Sequence, residues 1–233
     1  MQGRFKTNAI IFRVIPYQDK TFIVRLFSYE LGMLDAMVRV SVKGKIQRNV
    51  IEPLHILECV MEKKENSDFF FMKEITVLHT TRSHSYSISL FLSFMQEIVL
   101  KTLPLLQPDS KKFFFIKEYL EKIAHLKSLP TGSYALFLKM WTNLLGLQPQ
   151  TKKHPEEIYF SLLNGKFQNN RDPFVLDEHF SELLHLHLKE DTFNSFLFNE
   201  KKMVDFWLQY LGFHFHEFTG LKSIDVFKEI NKN

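Results

Sequence analysis

The sequence predicts an α+β protein, a small five-stranded β-barrel at the N-terminus followed by an α-helical domain. Three observations predict it. Apolar and polar residues alternate in short runs from Thr7 to about His79, the mark of half-buried strands. After Thr81 the apolar period lengthens from two to about 3.6, the mark of helices. Phe is abundant, at 25 of 233 residues, while Gly and Pro are few, which suits a helix-rich chain better than an all-β sandwich with many turns.

The strands follow in order. Ile10, Phe12 and Val14 alternate on the first. Phe22, Val24 and Leu26 repeat the pattern, as do Leu34, Ala36, Val38 and Val40, with turns at Gln18-Asp19-Lys20 and around Gly32. Leu54, Ile56 and Val60 give a fourth strand, and residues 70–78 a fifth, reached through the polar stretch 62–68. Five short strands in so few residues is the count of an OB-fold, although other small barrels fit the alternation equally well. This domain is expected to span residues 1–80, and the helical domain 81–233.

Ile88, Phe91, Leu92, Met95, Ile98 and Val99 form one apolar helical stripe, and Pro104 and Pro108 close that helix and open the next. Ile116, Tyr119, Leu120 and Ile123 mark a second helix. Tyr134, Phe137, Leu138, Trp141, Leu144 and Leu145 mark a third that stops at Gly146. Residues 148–173 read as a polar loop whose single apolar island is 158–163. Phe180, Leu183, Leu184 and Leu188 make a fourth helix. Met203, Phe206, Trp207, Tyr210 and Leu211 make a fifth ending at Gly212, and residues 223–230 a short sixth. Helices packed with a barrel are the economical arrangement.

Composition excludes several function classes. Cys59 is the single cysteine, so neither an internal disulfide nor a Cys₄ or Cys₂His₂ zinc site is available, which fits a reducing cytoplasm. No signal-peptide stretch follows the N-terminus, and residues 85–106 are too interrupted by polar residues to span a membrane. The chain is expected to be soluble and cytoplasmic. It contains no GxSxG, Walker A or GxGxxG pattern, so a binder is expected rather than an enzyme, with no catalytic residue, cofactor or metal. His185 and His187 point apart on a helix. His214 and His216 are able to share an ion only in an extended segment.

Charge points to a polyanion. Residues 1–50 hold nine Lys and Arg against three acids, a net of +6 in a chain whose total is +4. Arg39, Lys43, Lys45 and Arg48 surround Gly44, an arrangement able to lie along a phosphate backbone. An ordinary solvated loop is the competing reading. If Phe22, Val24 and Leu26 face inward, Arg25 and Phe27 face outward, Arg25 next to Arg39 and Phe27 offering a stacking platform for a base. The alternative for Phe27 is that it caps the barrel or meets the helical domain.

Read in order, Thr7-x-Ala9-Ile10-Ile11, Pro16-Tyr17, Phe27-Ser28-x-Glu30-Leu31-Gly32, Val38-Arg39, Lys43-Gly44-Lys45 and Glu52-Pro53-Leu54-x-Ile56-Leu57-Glu58 resemble the opening of RecO proteins, the Bacteroidetes-type branch in particular. The match covers the first sixty residues, and the helical remainder is similar in layout. The resemblance implies an OB-fold, a helical domain and binding to single- and double-stranded DNA. It further implies strand annealing, contact with the C-terminal tail of single-stranded-DNA-binding protein (SSB), and partnership with RecR in loading RecA. Many members carry a four-cysteine zinc module after the helix that corresponds to Tyr134–Gly146; here no cysteine lies between Gly146 and Asp191. The SSB tail is acidic with an apolar end, so Lys117, Lys122 and Lys139 are candidate partner-binding residues. Two rivals remain at this level: a non-catalytic protein-interaction adaptor without DNA binding, and a nucleic-acid enzyme with dispersed carboxylates.

Overall fold

The computed structural model describes residues 3–41, 46–65, 67–81, 85–215, 218, 221 and 223. They form two compact units, Met1–Lys127 and Ser128–Asn233. The change of period at Thr81 marks a change of secondary structure, and the boundary between the units comes two helices later.

The first unit opens with β1 (Gly3–Gln18), β2 (Thr21–Ser28), β3 (Gly32–Arg39), β4 (Ile56–Lys63) and β5 (Phe70–His79). Antiparallel pairing joins β1 to β2, β2 to β3, β4 to β5 and β4 back to β1. A short parallel seam, Ala36 to Phe70 and Met37 to Phe71, joins β3 to β5 and closes the ring in the order β1-β2-β3-β5-β4. That order is OB-fold topology.

Val24, Leu26, Leu34, Ala36, Leu57, Met61, Phe70 and Met72 fill the interior. Cys59 lies among them, and burial pushes its thiol up to about 12, so it is no reactive thiolate. One expectation needs correcting. Ala9 and Ile11 face the interior with Val14, whereas Ile10 and Phe12 point outward and are equally buried. A bulge between Ile11 and Arg13 reverses the phase of the strand, which alternation alone does not foresee.

Two helices complete the unit. In α1 (Tyr86–Thr102) the expected stripe is buried, with Phe94 added, and Gln96 donates to the Phe12 carbonyl of β1. Asp109 caps α2 (Ser110–Ala124), accepting from the Lys112 N–H at 3.0 Å. The linker between them pairs with the start of β3, where Leu106 N–H donates to the Met33 carbonyl at 2.8 Å. Gly32 sits there at φ +76°, and a Cβ would lie 2.3 Å from the Gln107 carbonyl oxygen, so the position demands glycine.

The second unit contains α3 (Ser133–Leu144), α4 (Glu178–Lys189) and α5 (Glu200–His214). α3 packs on α5, and both tryptophans, Trp141 and Trp207, are fully buried. The main-chain N–H of Tyr134 donates to Glu200 at 3.1 Å, so a carboxylate of α5 caps the start of α3. Gly212 is inside α5 rather than ending it, since the helix continues to His214. The sixth segment at 223–230 and His216 lie outside the described residues, apart from Ser223.

Residues 148–173 are not wholly irregular. Their apolar island forms β6 (Tyr159–Ser161), paired with β7 (Lys166–Gln168) across a turn ending at Gly165, φ +64°. Phe160 packs on Phe206 and Tyr210 at 5.8 and 6.1 Å, and its N–H donates to Ser181 of α4 at 2.9 Å. Strands of three residues are too short for alternation to reveal.

Candidate nucleic-acid interface

The seam between β3 and β5 carries an open groove of about 480 Å³ on the outer barrel wall. Met37 of β3 pairs with Phe71 of β5, and with Arg39 and Lys73 beyond them these alternate side chains line the groove, which the buried Val38, Ile46 and Met72 also reach. Thr21, at the end of the β1–β2 turn, forms one edge. The strand 2–3 face together with the loops between strands 1–2 and 4–5 is where OB-folds take oligonucleotides.

A second recess of about 540 Å³ adjoins it, lined by Lys20, Val40, Ser41, Gln47, Arg48 and Asn49. The two share Ser41, whose N–H donates to the Ile46 carbonyl at 2.9 Å. That bond ties the base of the basic loop. Lys43 and Lys45, at its centre, lie outside the described residues.

The sequence-predicted residues fall into three groups. Arg39 is exposed in the groove, and Arg48 is exposed in the adjoining recess; neither has a carboxylate partner among the described residues. Arg48 is held in place, its guanidinium 4.8 Å from the centre of the Phe22 ring and one N–H donated to the Ile51 carbonyl at 2.9 Å. A guanidinium has five donors, so the remaining ones are available to a phosphate.

Arg25 belongs to a different group. The β2–β3 register sets it directly opposite Asp35, and the two form a bidentate pair at 2.8 and 2.7 Å, both half-buried. Arg39 lies opposite Thr21 instead, so Arg25 and Arg39 share a wall without being neighbours. Part of the N-terminal charge is cancelled likewise, with Arg4 on Glu74 at 2.8 Å and Lys6 on Glu58 at 2.7 Å.

Phe27 corrects the expectation of a stacking platform. It does face out of the barrel, but it is fully buried because α2 covers that end of β2, its Phe113 ring 5.8 Å away. Tyr29 meets the same helix through Phe113 and Phe114, each at 5.5 Å. Phe27 therefore has no free face for a base, and the half-buried Tyr29 is turned against α2. The residues the sequence did not single out are Phe71, Lys64 and Lys73. The Nζ of Lys64 and that of Lys73 stand 4.8 and 5.7 Å from the Phe71 ring centre, and Lys73 also pairs with Glu62 at 3.2 Å. The signal available was Phe71-x-Lys73 alternating with Phe70 and Met72, but only the β3–β5 pairing brings it to Arg39.

The three candidate partner-binding lysines do not form one cluster. Lys117 and Lys122 lie on α2, paired with Glu121 at 2.8 Å and with Glu118 at 3.8 Å along their own helix. Lys139 is in the second unit. It donates to the His187 carbonyl at 2.8 Å and to that of Glu190, which makes it a cap on the end of α4. Burial lowers its pKa, against the opposing pull of Asp191 and Glu190.

A closed OB barrel with cations and an aromatic ring along one groove, in a chain that continues into helices, defines an OB-fold protein with a helical extension. Residues 1–81 match the family model described as Recombination protein O N terminal. Over 97% of its length the chain is 24% identical to a DNA repair protein RecO of Phocaeicola vulgatus, of which 98% is covered. It is 25% identical to one of Flavobacterium psychrophilum, again over 97% of this chain and 99% of that protein. A DNA repair protein RecO of Thermodesulfovibrio yellowstonii is 25% identical over 67% of this chain and 66% of its own. The chain is thus similar over nearly its whole length to RecO DNA repair proteins, and its first 81 residues match that family's N-terminal model.

The zinc module that the resemblance implies for many family members does not fit this chain. Where it would stand, the β6–β7 hairpin and the residues after it offer Ser161, Asn164, Gln168 and Asp172 and no thiolate, and of the imidazoles that reach it His214 is bonded to the Leu162 carbonyl at 3.0 Å and His185 packs on the Phe167 ring. The Asp172 carboxylate already accepts from the Phe174 N–H at 2.7 Å, from Gln168 at 2.9 Å and from Ser161 at 3.2 Å. These donors, Phe174 first, hold it below the usual carboxylate range. Among the described residues no three His, Cys, Asp or Glu side chains stand close enough to hold a metal ion, and no helix is long and apolar enough to cross a membrane.

Proposed function

We propose that this protein is a non-catalytic mediator of recombinational repair that binds single- and double-stranded DNA through its barrel, anneals complementary strands, and acts with RecR to load RecA onto SSB-coated DNA. The observation that carries the reading is the groove at the β3–β5 seam, where Arg39, with no carboxylate partner among the described residues, shares the lining with Phe71 and Lys73 at the foot of the basic loop. Arg39, Lys43, Lys45 and Arg48 neutralise phosphates, and Lys73 joins them on leaving its exposed partner Glu62. Arg25 contributes little, because Asp35 cancels its charge. Binding of this kind is governed by counterion release and shows little sequence preference.

The SSB tail, acidic with an apolar end, is better served by α2 than by Lys139, whose ammonium is occupied by main-chain carbonyls. On α2, Lys117 follows the exposed ring of Phe114 by one helical turn, which sets a cation beside an apolar surface.

Annealing of complementary oligonucleotides by the full chain tests the reading. Wild type accelerates annealing without nucleotide or metal, and Arg39→Ala with Lys73→Ala slows it in step with the loss of DNA affinity. A folded wild type that binds neither strand form but makes a stable complex with a repair protein overturns it in favour of an adaptor.

A further inference from the structure

Phe71 is the aromatic side chain in the lining of the groove. Its neighbours Phe70 and Met72 are buried in the interior, while Phe71 points outward and is only half-buried, on the open groove, with nothing from α1 or α2 recorded over its ring. Among the described residues its recorded ring partners are two ammonium groups, those of Lys64 and Lys73. Two like charges at one ring repel each other, and an exposed cation–π contact is weak.

We infer that Phe71 is the base-stacking platform of the groove, so that the site takes a single strand with unstacked bases in preference to a duplex. The inference rests on the DNA-binding reading above and adds the ligand form and the residue that selects it. A base laid on the ring replaces the cation contacts with a stronger stacking contact. The displaced ammonium groups of Lys64 and Lys73 then reach the phosphates on either side. Arg39 stands across the seam, on the strand paired with β5, and takes the backbone on the other flank. Met37, directly opposite Phe71 in register, supplies an apolar wall for the edge of the base. In a duplex the bases are stacked on one another and offer no free face, so only the phosphate contacts remain.

The test is fluorescence anisotropy of the full-length protein with three labelled probes: a single strand of mixed sequence, the same strand in a duplex, and an abasic strand of equal phosphate count. Phe71→Leu is expected to bind the single strand about 5- to 100-fold more weakly than wild type, with duplex affinity within about twofold. The abasic strand should bind wild type and Phe71→Leu alike, because it has no base to stack. Phe71→Trp should hold or raise single-strand affinity, which guards against a loss that merely reflects poor folding. If Phe71→Leu leaves single-strand affinity unchanged, or weakens all three probes equally, the stacking inference falls. If Arg39→Ala and Lys73→Ala weaken binding in that same experiment, the groove survives without it. If those variants bind all probes as wild type does, the groove and the stacking role fall together.

Discussion

Acidification should loosen the second unit through one side chain. His187 is fully buried on α4, its Nε2 accepting from the Trp207 indole N–H at 3.4 Å, with the rings of Phe198 and Phe193 at 5.4 and 6.1 Å. With Nε2 accepting, the proton sits on Nδ1, which finds no partner among the described residues. Burial, and after it the Lys139 cation, push this imidazole from 6.5 down to about 4. In the unfolded chain the ring takes up its proton near 6.5. Between the two values the unfolded state binds more protons than the folded state, so unfolding free energy rises with pH across that window. The benefit of a neutral His187 is full above about 6.5 and is lost as pH falls to about 4. A span of about two and a half pH units corresponds to about 3 kcal/mol, a large share of the stability of a small domain. His187→Gln keeps an acceptor for Trp207 and removes the titration. Urea unfolding followed by tryptophan fluorescence reads this unit alone, because both tryptophans of the chain belong to it. Wild type should lose about 3 kcal/mol more than His187→Gln between pH 7 and 4. The carboxylates and His185 titrate in both and cancel in the comparison. Parallel pH profiles would refute the argument.

Phe27→Ala should destabilise the first unit by about 3–5 kcal/mol, since it empties a fully buried aromatic site beneath Phe113; calorimetry of the full chain reads the loss, while any folded protein keeps its single-strand affinity. Gly32→Ala forces a Cβ into the Gln107 main chain at positive φ and should cost about 1–3 kcal/mol or displace the α1–α2 linker, visible as faster amide exchange at Leu106. Arg25→Ala should leave the salt dependence of DNA binding nearly unchanged while Arg39→Ala reduces it, because Asp35 already neutralises Arg25; equal losses would show that the pair opens on binding.

The fold was legible in the sequence wherever a face repeats. Val24, Leu26, Leu34, Ala36 and Val38 alternate and do line the barrel, and the stripe from Ile88 to Val99 is the buried side of α1. Alternation says which way a side chain points and nothing about what covers it. Phe27 points outward as expected and is buried all the same, because α2 lies over it. Register is equally silent: alternation sends Arg25 to the outer wall, yet only the β2–β3 pairing reveals that Asp35 faces it there. The groove itself depends on β3 meeting β5 in parallel across more than thirty residues of intervening chain, a contact with no local signature. Phe71 and Lys73 therefore carry no sequence signal of their own, unlike the basic loop, whose composition is plain.

The most direct test of the central claim is the salt dependence of single-stranded DNA affinity, measured by anisotropy for wild type and for the quadruple Arg39→Ala, Lys43→Ala, Lys45→Ala, Arg48→Ala variant. The account predicts a log–log slope near −0.7 per phosphate neutralised in wild type, with roughly two to four phosphates lost from that count in the variant. Equal slopes for the two proteins, or no binding by either, would contradict it.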